Sequence, residues 1–135
     1  MNKLFPAIIW AALIATTTAN ADPLNTSAGA GKKIFEANCA SCHGSDAHGG
    51  GPVSKSLAIK PADLTLIAAR RGGKFDDEEI VRKIDGREEI GAHGNRDMPV
   101  WGRVFSKNAG ADSIGEEVNQ GNLLALVDYL KSLQR

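Results

Sequence analysis

Two thiols and an imidazole lie within five consecutive residues, which read Cys39-Ala40-Ser41-Cys42-His43. Cysteines at this spacing on one helical turn can reach the two vinyl groups on one edge of a haem. Each thiol can then add to a vinyl group and form a thioether, which is the attachment signature of c-type haem. The next residue lies under the iron, where its imidazole can coordinate the metal. The motif predicts one covalently bound haem c, held by Cys39 and Cys42, with His43 as an axial iron ligand.

The cysteine pair has three other possible uses besides haem attachment. A redox-active disulfide of the thioredoxin type needs a βαβ context, which the sequence does not show, and it leaves His43 without a role. A zinc site would need His48 and His93 as partners, and their spacing does not match a zinc finger. A plain structural disulfide would close a short, strained loop. Haem attachment is the interpretation that uses every residue of the motif.

The first 21 residues have the pattern of a signal peptide. Lys3 gives a positive start, residues 4–15 are almost wholly apolar, and residues 19–21 end in a small-x-small site. The apolar stretch is shorter than the roughly 20 residues that a membrane span needs, although an uncleaved anchor is the alternative. We expect cleavage after Ala21, export to the periplasm, and a mature domain of residues 22–135 with no membrane span.

Composition and charge limit the function classes. The 135 residues fit a single domain. The 16 basic and 16 acidic residues balance, and loss of Lys3 leaves a slight negative charge, so nucleic acid is not expected as a partner. A small glycine-rich chain with few aromatic residues has a modest core of its own. A large apolar cofactor would complete that core.

The second axial ligand is inferred by elimination. In electron carriers the second axial position of the haem iron is usually occupied by methionine or histidine. Met98 is the only methionine once the leader is removed, and Pro99 stiffens the loop that carries it. His48 follows His43 too closely to reach the opposite face of the haem. The sequence predicts Met98 as the sixth ligand, with His93 as its rival.

Four amphipathic segments and no convincing strand predict an all-α fold with long irregular loops. Asp76 and Glu79 form a predicted capping box at the start of the third segment, and Gly86 ends it. The last segment has five aliphatic residues on one face at helical spacing. The predicted helical segments cover residues 27–38, 65–71, 76–86 and 122–133, separated by loops at 44–52 and 91–102.

The chain resembles class I cytochrome c, in particular the small bacterial monohaem members. The residues that carry the resemblance are the haem motif, residues 31–35 before it, Gly51-Pro52, residues 61–65, residues 93–102 with Met98-Pro99, and Tyr129 in the last helix. Together they span nearly all of the mature chain. Mitochondrial members place a propionate-contacting tryptophan well before the methionine, whereas Trp101 follows it. For Trp101 we therefore expect packing over the haem.

The resemblance implies a specific architecture. The helices at the two ends of the domain cross around the haem, with Gly31 and Phe35 packed against the helix that holds Tyr129. It also implies that the carbonyl of Pro52 accepts a hydrogen bond from the second ring nitrogen of His43, which would fix the orientation of the imidazole.

Two filled axial positions leave no coordination site for a substrate, so we expect an electron carrier and not an enzyme. Its haem would cycle between Fe(III) and Fe(II) in weak, short-lived complexes with respiratory or periplasmic redox proteins, and the chain would be a monomer. Two alternatives stay open. The chain could be the haem subunit of a dehydrogenase or oxidase, or a gas sensor or weak peroxidase if Met98 is labile.

Overall fold

The computed structural model describes residues 26–88, 98–110 and 112–135. The predicted signal peptide and His93 therefore lie outside the described residues. The described ranges hold five α-helices, three short 3₁₀ helices and no strand, which confirms the all-α prediction. None of these helices is long and apolar enough to cross a membrane. The α-helices are α1 (Ser27–Asn38), α2 (Ala40–His43), α3 (Asp77–Asp85), α4 (Trp101–Ala109) and α5 (Ser113–Ser132), and the 3₁₀ helices are Pro52–Ser56, Leu64–Leu66 and Ala69–Arg71.

Helix α1 packs directly on α5, and Gly31 is the point of closest approach. A Cβ atom at Gly31 would collide with the carbonyl oxygen of Ala125 and lie 2.9 Å from the Cβ of Tyr129. One turn later the fully buried ring of Phe35 meets the Tyr129 ring, with centroids 5.4 Å apart and planes inclined at 54°. The expected contact of Gly31 and Phe35 with the helix of Tyr129 is confirmed.

Local signals set the bounds of α1 and α3 as predicted. The Thr26 hydroxyl accepts a hydrogen bond from the Gly29 N–H at the start of α1. Asp76 accepts one from the Glu79 N–H at the start of α3, and Gly86 ends that helix. The Glu79 carboxylate binds the Arg71 guanidinium at 2.6 and 2.7 Å, so only one half of the predicted capping box is seen. The segment predicted as a helix at residues 65–71 is two 3₁₀ helices.

Two helical regions differ from the sequence-based expectation. Helix α4 lies in a segment that was predicted to be partly loop, and α5 begins nine residues before its predicted start at residue 122. Asp112 caps α5 by accepting from the Gly115 N–H at 2.9 Å. Phe105 of α4 is buried against the core that α5 dominates. Polar and glycine residues in both regions obscure the helical spacing of the apolar residues. Packing between α4 and α5 stabilises both helices.

The two ends of the segment that carries Met98 both lie near one ion-pair network. Arg87, just after α3, contacts Asp85 at 2.7 Å and Glu116 of α5 at 2.7 Å. Gly102, in α4, packs so closely on this network that a Cβ there would lie 2.6 Å from the Asp85 carboxylate carbon. The chain therefore leaves and re-enters the helical core at neighbouring points.

The close approach at Gly31 yields a stability prediction with a matched control. Gly31→Ala should lower the free energy of unfolding by about 1–3 kcal/mol, because the new methyl group meets a helix backbone that cannot yield locally. Gly121→Ala, in α5, adds a methyl group with nothing within 4 Å and should raise stability by up to about 1 kcal/mol. Urea unfolding of the purified proteins, followed by circular dichroism, measures both. Equal midpoints for the two variants would contradict the proposed contact.

Candidate haem site

The cysteine–histidine motif forms one tight turn at the end of α1. The Cys39 N–H donates to the Phe35 carbonyl at 2.8 Å, so the chain is still helical when it reaches the first thiol. The Cys39 carbonyl then accepts hydrogen bonds from the Cys42 and His43 N–H groups at 3.1 and 2.9 Å. Both sulfur atoms and the imidazole are thus presented from about one turn of backbone, as the sequence predicts.

A glycine-rich loop folds back over this turn. The Gly49 N–H donates to the His43 carbonyl at 2.6 Å, and the Gly51 N–H donates to the Cys42 carbonyl at 3.1 Å. Gly51 lies so close to the motif that a Cβ atom there would collide with the Ser41 carbonyl oxygen and lie 2.6 Å from that of Ala40. The loop therefore supports the motif from the side away from α1.

Two adjoining cavities open beside the motif. Their volumes are about 310 and 440 Å³, and four residues line both: Cys39, His43, Ala62 and Met98. The structure thus brings Met98 to the same cleft as a histidine 55 residues earlier in the chain. The walls of the first cavity are largely apolar and come from α1, α3, α5 and the two 3₁₀ helices after residue 63. The apolar residues there are Phe35, Leu64, Ile67, Ile80, Ile84, Leu126 and Leu130.

The hydrogen bond of His43 leaves one ring nitrogen available to a metal. Its Nδ1 lies 3.0 Å from the carbonyl oxygen of Ala62. A carbonyl can only accept, so Nδ1 must carry the proton and Nε2 keeps its lone pair. This arrangement is typical of metal-binding histidines, in which the second nitrogen donates to a carbonyl or carboxylate.

The carbonyl that meets His43 is not the predicted one. The family resemblance implied Pro52, but the structure has the carbonyl of Ala62 in this place. Pro52 begins a 3₁₀ helix whose Ser54 N–H turns back to the Gly51 carbonyl at 2.9 Å. The segment at residues 61–63 passes beside the imidazole instead. Ala62 was missed because nothing in its residue type marks a backbone acceptor.

The environment of Cys39 disfavours thiolate chemistry. Its side chain is 8% exposed, and burial, with a smaller contribution from Cys42, raises the pKa of the Cys39 thiol to about 11. Disulfide oxidoreductases need the opposite, a thiol pKa lowered towards neutrality. The two cysteines are not joined to each other as a disulfide. Within the described ranges, no group of three or more His, Cys, Asp or Glu residues could hold a metal ion.

Of the remaining sequence candidates, only one is seen to line the cleft. Trp101, the first residue of α4, lines the second cavity and stacks on Phe105 with ring centroids 5.5 Å apart. His48 turns to its own loop, where its Nδ1 lies 2.8 Å from the Asp46 carbonyl oxygen. His93, the rival of Met98, lies outside the described residues.

The residues of the cleft fit a haem. Two thiols three residues apart, an imidazole with a free Nε2 and a thioether are the donor types that c-type haem uses. The apolar walls match a large flat macrocycle, and cavities of several hundred Å³ are of the size that holds cofactors. The cleft therefore suits an iron macrocycle better than a bare metal ion or a reactive disulfide.

Crossing helices and a Cys-x-x-Cys-His turn that opens on an apolar cleft define the class of small c-type haem proteins. A comparison with protein-family models agrees, since the family described as Cytochrome c matches residues 28–134. The chain belongs to the cytochrome c family. Membership implies covalently bound haem c and haem-based electron transfer. Searches of curated proteins and of solved structures found no significant match.

The packing of Gly51 on the motif can be tested with its neighbour as control. Gly51→Ala should lower the free energy of unfolding by about 1–3 kcal/mol, because its methyl group meets backbone oxygens of the motif turn. Gly50→Ala adds a methyl group with nothing within 4 Å and should leave stability nearly unchanged. Denaturant midpoints of the two purified variants give the comparison. A Gly51→Ala protein as stable as Gly50→Ala would show that the loop does not support the motif.

Proposed function

We propose that this protein is a periplasmic, single-haem cytochrome c that carries single electrons between redox proteins. The observation that carries the proposal is that Cys39, His43 and Met98 line the same apolar cleft. An imidazole and a thioether can then occupy the two axial positions of one iron. The two cysteines, which leave the same helical turn, would hold the porphyrin edge as thioethers.

Each residue of the cleft has a distinct task in this proposal. His43 coordinates iron through Nε2, while the Ala62 carbonyl holds the Nδ1 proton and with it the orientation of the ring. Met98 supplies the second axial ligand. The apolar walls exclude water from the iron, which together with the axial ligands sets the reduction potential. The bound haem supplies reversible one-electron chemistry.

The rim of the cleft suits brief contacts with partner proteins. Ile59 lines the second cavity and is 63% exposed, and the exposed Pro99 lies on the same rim. A small apolar surface beside a redox centre can be covered in a weak complex without a large interface. We accordingly propose transient complexes with redox partners and a monomeric carrier.

The pattern of the first 21 residues supports export. Residues 1–21 have the charged, apolar and small-x-small regions of a signal peptide. Cleavage after Ala21 would release residues 22–135 as the cytochrome c domain. Attachment of haem through thioethers outside the cytoplasm is consistent with that route.

One observation favours a second candidate function. Met98 lies in irregular backbone before α4, whereas His43 ends α2 and its ring is hydrogen-bonded to the Ala62 carbonyl. A sulfur ligand that leaves the iron would open a site for a small gas, and the protein would then act as a sensor. Carbon monoxide added to the reduced protein at neutral pH separates the two functions, because a carrier with a firmly bound methionine does not take up the gas.

Covalent attachment is the first test of the proposal. Protein matured in a host that exports and assembles c-type cytochromes should keep its haem through acid–acetone extraction. Cys42→Ala should remove one thioether and shift the visible bands of the reduced haem, because one vinyl group stays unsaturated. Ser41→Ala changes the exposed residue between the cysteines and should leave the bands unmoved. Haem that is extracted from the unmodified protein would overturn the proposal.

The axial role of Met98 is tested by removing its sulfur. Met98→Ala should abolish the weak far-red absorption band of the oxidised protein and let the reduced protein bind carbon monoxide. Ile59→Ala, which trims another residue of the second cavity without removing a donor, is the control and should keep the band. An unchanged band in Met98→Ala would exclude this ligand and favour His93.

A further inference from the structure

The carbonyl that meets His43 comes from a segment with little structure of its own. Residues 61–68 contain only the three-residue 3₁₀ helix Leu64–Leu66. The Leu64 N–H reaches the Ala47 carbonyl at 2.8 Å, which ties the segment to the loop that follows the haem motif. The position of the Ala62 carbonyl must therefore depend on contacts from elsewhere in the fold.

Gln134, which follows helix α5, bridges the first residue of that 3₁₀ helix and Ala68, two residues beyond its end. Its Nε2 donates to the Leu64 carbonyl at 2.9 Å, and its Oε1 accepts from the Ala68 N–H at 2.9 Å. The same Nε2 lies 2.6 Å from the Leu130 carbonyl, so the amide is anchored on α5. One side chain thus fixes the segment to the long helix over a sequence separation of 66 to 70 residues.

Arg135 adds a second set of ties to the same segment. Its N–H donates to the Thr65 carbonyl at 3.2 Å, and its Nε donates to the Thr65 hydroxyl at 2.9 Å. Thr65 is 4% exposed, and its hydroxyl donates to Asp63 at 2.6 Å. The contacts of Arg135 with Thr65 therefore extend to Asp63. The hydrogen bond from the Thr65 hydroxyl also lowers the pKa of Asp63. The residue directly before Asp63 is Ala62.

We propose that Gln134 and Arg135 are positioning residues for the haem iron, acting through the Ala62 carbonyl and His43. A carbonyl held at hydrogen-bond distance from Nδ1–H makes the imidazole a stronger donor, which favours Fe(III). Freeing the segment should weaken that bond and shift the redox equilibrium towards Fe(II). The inference rests on the proposed function, in which His43 is an iron ligand.

The main variant is Gln134→Met, which keeps the length and much of the packing of the side chain but removes its hydrogen bonds to Leu64 and Ala68. Ser132→Ala is the matched control. Its hydroxyl donates to the Tyr129 carbonyl at 2.6 Å, at the same end of α5 but away from residues 61–68. Both proteins are prepared with haem attached, and Arg135→Ala serves as a second variant if Gln134→Met does not accumulate.

Two readouts distinguish positioning from stability. The equilibrium constant for reduction of Gln134→Met should rise by up to about tenfold, which corresponds to a potential about 59 mV higher for one electron. The Nδ1 proton of His43, observed by NMR in the reduced protein, should exchange with D₂O faster than in Ser132→Ala. Loss of stability alone would lower the unfolding midpoint and leave the potential at the value of Ser132→Ala, so the potential separates the two effects even where unfolding speeds exchange.

The outcomes separate this inference from the function on which it rests. If Gln134→Met keeps its haem and its far-red band but matches Ser132→Ala in potential and proton exchange, the positioning role is wrong and the proposed function stands. If the unmodified protein has no covalent haem, or His43 is not an iron ligand, the proposed function fails and this inference fails with it. A raised potential together with faster exchange, absent from the control, supports both.

Discussion

Helix α1 can lie against α5 only because residue 31 has no side chain, and most of the site depends on that contact. A methyl group there would strike the backbone of Ala125, so the two helices would have to separate. Their close packing brings the end of α1, with Cys39, beside Leu126 and Leu130 of α5. The Cys39 thiol is thereby buried at an apolar wall. Close-packed interiors do not absorb such a displacement without cost.

Apolar helices and polar contacts contribute to the cleft in different ways. The helices supply the walls, whereas hydrogen bonds and ion pairs determine where the irregular segments run. Arg87 joins the end of α3 to α5, and Gln134 joins the segment of Ala62 to α5. Exposed ion pairs add little to stability, so the value of such ties lies in geometry. In the proposed function the iron ligands come from distant segments, so the geometry that these ties set decides whether the site forms.

Several features were predictable from short stretches of sequence because their causes are local. The bounds of α1 follow from the cap at Thr26 and the motif that succeeds it, and those of α3 follow from Asp76 and Gly86. The motif itself is predictable for the same reason, since its chemistry needs only the spacing of residues 39–43. The resemblance to class I cytochrome c correctly implied that Gly31 and Phe35 pack against the helix that holds Tyr129.

The sequence by itself determined the haem motif, the helical class and the family, all of which depend on residues that lie close together or recur across the family fold. Tertiary structure alone decided which carbonyl meets His43 and where α4 forms. Helix α4 has no side-chain cap at Val100 and holds a glycine, so packing of the buried Phe105 against the core that α5 dominates must stabilise it. The carbonyl of Ala62 takes its place through contacts about 70 residues away in the chain. Such contacts have no local pattern, because backbone groups are the same in every residue and only the folded path brings them together.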